Sequence, residues 1–296
     1  MVTKATVSGH LPRAPSRHSV SQSDTPSSMD VAEVLADLIA EQQSLDDLVV
    51  ELSDEQWAIS TPSPGWTIAD QIGHLTYFDG NAALAITDPD AFVDSMNALF
   101  SSGDSADDLT LAPYRAMSAP QLLAAWRANR AALAAAAATL ANDTRVTWYG
   151  PSMGSKSFLT ARLMEAWAHG HDIVDAIAAV RVPTDRLRHI AQLGFITRGW
   201  TYVNRGLEVP STAVRVELTA PSGDTWTFGS PDADEAITGP AVDFCRVTTQ
   251  RRHVDDTALV VVGATARDWM EKAQLFAGPP SDGPAPRSTD PAETGT

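Results

Sequence analysis

Apolar positions recur at helical spacing over the first two thirds of the chain and alternate after that. Val31, Val34, Leu35, Leu38 and Ile39, then Leu45, Leu48, Val49 and Leu52, follow the three- and four-residue steps of one helix face. Thr67 with Asp70 reads as a capping box that opens a helix running to about Ile86. Ser118 with Gln121 opens another, to Leu140. A further helix starts at Ser155 or Ser157 and runs to about Val180, and Pro183-Thr184-Asp185 starts a last one through Leu207. Beyond Pro210 the period becomes two. Val214, Val216 and Leu218 alternate with polar residues, Pro221-Ser222-Gly223-Asp224 turns the chain, and Thr225-Trp226-Thr227-Phe228 returns as a hairpin. Pro240–Gln250 then reads as helix, Ala258–Val262 as a buried strand and Thr265–Phe276 as a final helix.

This pattern predicts an α+β protein: a helical bundle over residues 29–209, then a smaller α+β domain over 210–277. Residues 1–28 and 278–296 are rich in Ser, Pro, Thr and Gly without apolar periodicity and are expected to be disordered tails. Met29 directly precedes the first helix and reads as an alternative start.

Composition narrows the function classes. Hydrophobic residues make up 44% of 296, enough for a sizeable core. No apolar run reaches the roughly 18 residues that span a bilayer. The net charge of −16 disfavours nucleic acid and anionic membranes as partners. The one cysteine, Cys245, allows no internal disulfide, which fits a cytoplasmic protein, and its neighbours Phe244 and Val247 suggest a small core residue rather than a nucleophile.

The candidate chemistry lies in the histidines. His10 and His18 fall in the tail, His189 among arginines, and His253 after Arg251-Arg252. Glu165 and His169 are four apart on a predicted helix, so both project from one face, where a carboxylate and an imidazole can share a metal. His171 points to the opposite side. Asp172 returns to the Glu165/His169 face as a candidate acceptor for a ligand's ring N–H. A third ligand must come from elsewhere. His74, between Ile72 and Leu75, is the candidate, with Asp70 four residues earlier to orient it. A histidine between apolar neighbours is equally a core residue, and spacing alone leaves both readings open. Trp66, Trp167 and Trp200 are candidate pocket walls and equally candidate core. Tyr77 and Asp79 follow His74 on its helix, where they would line the same cavity.

Gly65–Leu75, with its Trp-Thr-x-x-Asp-x-x-x-His-Leu pattern, resembles the first metal motif of DinB-like proteins, and more closely that of the mycothiol-dependent maleylpyruvate isomerase family. Glu165-Ala-Trp-Ala-His169-Gly-His-Asp172 resembles the second motif. The resemblance covers roughly Val31–Gly206. The remainder looks like an actinobacterial subgroup whose members are mostly named only as metal-binding proteins. It implies a DinB-like bundle and places His74, Glu165 and His169 in the three metal positions.

Two histidines and a carboxylate leave a coordination position open, as in catalytic sites, and the borderline donors favour zinc, with iron or nickel as alternatives. The family resemblance implies that mycothiol takes that position as a thiolate, adds to an electrophilic double bond, and is expelled after rotation to complete a cis-to-trans isomerisation, or is retained in an S-transfer. A metal-dependent isomerase or hydrolase that uses no thiol, and a non-catalytic metal-binding protein, are the alternative readings. The resemblance also implies a small-molecule substrate of the dicarboxylate class, which would need cationic anchors; Arg246, Arg251 and Arg252 are the candidates. DinB-like bundles often pair through helix faces, so the resemblance implies a monomer or homodimer.

Overall fold

The computed structural model describes residues 30–101, 106–150 and 152–287. The predicted disorder of residues 1–28 lies outside them.

Helices α1 (Val31–Val49), α2 (Asp54–Trp57), α3 (Ile68–Thr87), α4 (Pro89–Ser101), α5 (Ala106–Arg115) and α6 (Ala119–Ala137) come first. A short hairpin, β1 (Arg145–Val146) and β2 (Met153–Gly154), leads into the long α7 (Ser155–Ala176), followed by α8 (Leu187–Ile196) and α9 (Arg198–Val203). Capping explains where the bundle helices start. Asp30 with Glu33 opens α1, and the expected Thr67/Asp70 box opens α3. α3 packs on α6 and on α7, and α1 lies along α7.

The C-terminal part is a four-stranded sheet in the order β4-β3-β5-β6. β3 (Val214–Thr219) and β4 (Thr225–Phe228) form the expected antiparallel hairpin. β5 (Glu235–Pro240) runs parallel to β3, and β6 (Val260–Val262) antiparallel to β5. α10 (Ala241–Thr248) and α11 (Ala264–Lys272) complete it.

Four local expectations change. The single helix predicted to Leu207 is two, because Thr197 at the junction turns its hydroxyl onto the carbonyls of Leu193 and Gly194. β6 is an edge strand rather than a buried one: Val260 and Val262 are exposed. β5, not foreseen, carries Gly239 and Pro240 at its end, residues that weaken a strand signal. Gly278–Arg287, expected in the tail, has no regular structure but is tied back by hydrogen bonds, including Gln250 Nε2 to Ser281 O (2.6 Å) and Arg287 N to Asp256.

The core does not break near residue 210. One apolar cluster runs from Val31, Leu38 and Leu163 through Ile190 and Leu193 to Val216, Ile237, Phe244 and Trp269. α8 carries it across, packed against both α7 and α10. Ion pairs reinforce the junction. Arg251 binds Asp172 through two nitrogens (2.8 and 3.2 Å), and Arg252 binds Asp175 (2.7 and 2.9 Å), both carboxylates lying on α7. Among the described residues no helix is long and apolar enough to cross a membrane.

Between α3 and α7 lies a buried pair. Arg162 donates to Asp79 Oδ1 (2.9 and 3.1 Å), while Gln42 and Trp126 donate to Oδ2. Burial pushes the Asp79 carboxyl up against the pull of Arg162. Arg162→Ala is expected to cost about 3–5 kcal/mol in urea unfolding, since it strands a buried carboxylate. The double variant Asp79→Leu, Arg162→Met should lose less than that single one.

Candidate metal centre

α3 and α7 each present one polar face to the other. On α3, Gln71, His74 and Phe78 stand at positions i, i+3 and i+7; on α7, Arg162, Glu165 and His169 stand at i, i+3 and i+7. The packing brings His74, Glu165 and His169 together, with one donor atom from each within 4.8 Å of the others. Glu165 Oε2 lies 2.9 Å from His169 Nε2 and 3.4 Å from His74 Nε2. Donors bound to one zinc at about 2.0–2.1 Å in a tetrahedron are roughly 3.3 Å apart. The donor set and its spacing therefore fit a divalent ion.

A chain of hydrogen bonds decides which atom His169 offers. Thr61 uses its only hydroxyl proton on the Trp66 carbonyl (3.0 Å), so its oxygen can only accept from Gln71 Nε2 (2.8 Å). That fixes the Gln71 amide with its oxygen toward His169 Nδ1, at 2.5 Å. An amide oxygen only accepts, so Nδ1 carries the proton. Burial, reinforced by the nearby His74, pushes the His169 pKa down to about 4, so at neutral pH Nε2 keeps a lone pair. Burial alone would raise Glu165, but the neighbouring His169 and His74 hold it well below the usual carboxylate range, so it is ionised. Two acceptors thus face each other at 2.9 Å, and a cation between them resolves the repulsion.

Gln71 is the residue the sequence did not flag. Asp172, expected in that role, is spent on Arg251 and accepts from Ser63. Asp70, expected to orient His74, instead caps α3 through Thr67 and pairs with Arg115. The signal for Gln71 was present: it sits three residues before His74 on the same face, among Ile68, Ile72 and Leu75, and is fully buried.

The family described as the Mycothiol maleylpyruvate isomerase N-terminal domain matches residues 38–174, which hold all three candidate ligands. Two uncharacterized proteins of Mycobacterium tuberculosis, from strains CDC 1551 / Oshkosh and H37Rv, are each 43% identical over 249 residues, covering 84% of this chain and 97% of theirs. The chain belongs to the mycothiol maleylpyruvate isomerase family. The crystal structure of the mycothiol-dependent maleylpyruvate isomerase superposes with a TM-score of 0.52 at 17% identity, over 79% of this chain and 93% of that one. A histidine-to-alanine mutant of the isomerase gives 0.51 at 17% identity, over 77% and 91%. At that identity the likeness establishes the shared mixed helix-and-sheet fold.

Around the trio, this member of the isomerase family builds an aromatic rim. Trp66 lies 5.2 Å from the His74 ring and 5.8 Å from that of His169, and Phe78 lies 4.5 Å from His74. Trp167 instead stacks on His171, and Trp200 bonds the Phe276 carbonyl, away from the trio. Asp79 is sealed in its pair with Arg162, and Tyr77 packs edge-on against Phe78. Of the three candidate arginines, only Arg251 acts on the trio, its charge helping to depress His169. Arg252 pairs with Asp175, and Arg246 with Asp243 and His171 Nε2. Cys245 is buried, its thiol pushed up by burial, and it donates weakly to the Leu187 carbonyl. Gln71→Leu is expected to weaken zinc binding about 10–100-fold in competition with a chromogenic chelator while leaving the melting of metal-free protein nearly unchanged.

Proposed function

We propose that this chain is a metal-dependent enzyme in which a divalent ion, zinc by its donors, activates a low-molecular-weight thiol for attack on an electrophilic small molecule. The convergence of the three donors carries the reading: Glu165 Oε2 lies 2.9 Å from His169 Nε2 and 3.4 Å from His74 Nε2, where one divalent ion can engage all three. Their accessibility supports a catalytic rather than a structural ion. Side-chain exposure is 17% at His74 and 22% at Glu165, so the trio stands at a surface and three protein donors leave a position for a reactant. When bound, the ion would supply a Lewis-acid centre that favours the thiolate form of a coordinated thiol. Membership of the mycothiol maleylpyruvate isomerase family supports mycothiol as that thiol.

The chain's own residues have distinct tasks in this scheme. Gln71 holds His169 in the tautomer that presents Nε2. Glu165 supplies the one negative charge of the donor set. Trp66 and Phe78 wall the histidines and keep water from their faces. Arg251, tethered by Asp172, lies close enough for its charge to act on His169 and is the proposed anchor for an anionic substrate group.

Elemental analysis of the purified chain, with calorimetric titration of mycothiol, tests the proposal. The expected result is about one divalent ion per chain and saturable thiol binding, both lost in His74→Ala without loss of fold. A metal-free protein whose melting and thiol binding are unchanged by His74→Ala would remove the metal and thiol roles together. Metal without any mycothiol binding would favour Lewis-acid chemistry that uses no thiol.

A further inference from the structure

α7 carries a second polar cluster on its other side. Trp167 and His171 are four apart and each lies two residues on from a member of the trio, so they project from the opposite face. There a small cavity of about 20 Å³ is lined by Glu41, Trp167, His171, Arg181, Arg186 and Arg246. It lies between α1, α7, the loop before α8, and α10. A space of that size holds one or two water-sized groups. Pro183 and Val242 join Trp167 as an apolar wall, and Val182 stands at the exposed rim.

The charges in the cavity do not balance. Three guanidinium groups meet one carboxylate in a chain whose net charge is −16. Glu41 spends Oε1 on Arg181 Nη2 and Oε2 on Arg186 Nε, both at 2.7 Å. Asp243 offsets Arg246 from outside the lining, at 3.0 Å. Arg181 Nη1 is buried with no hydrogen-bond partner among the described residues. It is pressed so close to Gly170 that a methyl group there would meet it at 2.7 Å. A buried, unmet cationic N–H is costly and calls for an acceptor.

We propose that this cavity binds the head of a small organic carboxylate, at a site separate from the metal trio. Guanidinium forks match the two oxygens of a carboxylate, and the excess of guanidinium over carboxylate in the lining favours an anion. The wall of Trp167, Pro183 and Val242 takes the carbon portion of an organic acid, which a halide would leave unused. Gly170 links the two sites, standing between His169 on one face and His171 on the other.

Sodium acetate is the probe, titrated into the full chain at fixed ionic strength and followed by melting and calorimetry. Sodium chloride runs in parallel. A chelator-treated sample runs beside it, because acetate also coordinates metals. The expected result is a saturable acetate effect that survives chelation, exceeds that of chloride, and weakens about tenfold or more in Arg246→Gln. Val182→Trp, which crowds the rim without touching the core, should weaken it as well and replaces Arg246→Gln if that variant does not fold. The assignment fails if acetate gives no saturable effect, if chelation abolishes the effect, if chloride matches it, or if the folded variants bind as the parent does.

Discussion

A carboxylate oxygen and an imidazole lone pair held 2.9 Å apart, in a place only partly open to water, are the constraint around which the bundle is arranged. Left alone, the two repel. They persist because neither can turn away: Glu165 and His169 lie on successive turns of one helix, and Gln71 grips the far side of the imidazole. The grip reaches back through Thr61 to a backbone carbonyl at Trp66, so the loop before α3 helps to set the tautomer of a histidine on α7. Such support of a ligand from its outer nitrogen is what gives a metal site its orientation and basicity.

The surrounding polar contacts act on the same pair of helices. Arg162 and Asp79 cross from α7 to α3 beneath the trio, and Gln42 and Trp126 complete the carboxylate from α1 and α6. A buried pair of this kind contributes little net stability against an apolar substitute but fixes the position of one helix against the other. The segment after α10 fastens to the far half of α7 through Arg251 and Arg252. A single helix thus carries two of the three candidate ligands, the arginine of the pair beneath them and the docking carboxylates. It also carries, on its opposite face, the residues that meet the arginine-lined cavity.

Chain and relatives fit this picture at different depths. The match over residues 38–174 covers the two helices that make the trio, and the mycobacterial relatives extend the likeness through the sheet. The isomerase structures share the architecture at 17% identity, a level at which folds persist while pockets diverge.

Local signals were sufficient for much of the fold. Capping residues marked where α3 and α6 begin, alternation marked the β3–β4 hairpin, and four-residue spacing put Glu165 and His169 on one face. All are interactions between near neighbours, which a sequence carries directly. What lay beyond it involved residues far apart. β5 pairs with β3 across an intervening strand, Thr197 bends a helix by a hydroxyl choice that packing selects, and Asp70 and Asp172 were claimed by Arg115 and Arg251 from distant segments. Gln71 became the partner of His169 for the same reason: it lies 98 positions away, and only the packing of α3 on α7 brings its amide within reach. The sequence by itself determined which side chains share a helix face. The tertiary structure decided which of them meet, because a hydrogen bond is specified by an ångström-scale approach between elements that no local pattern encodes.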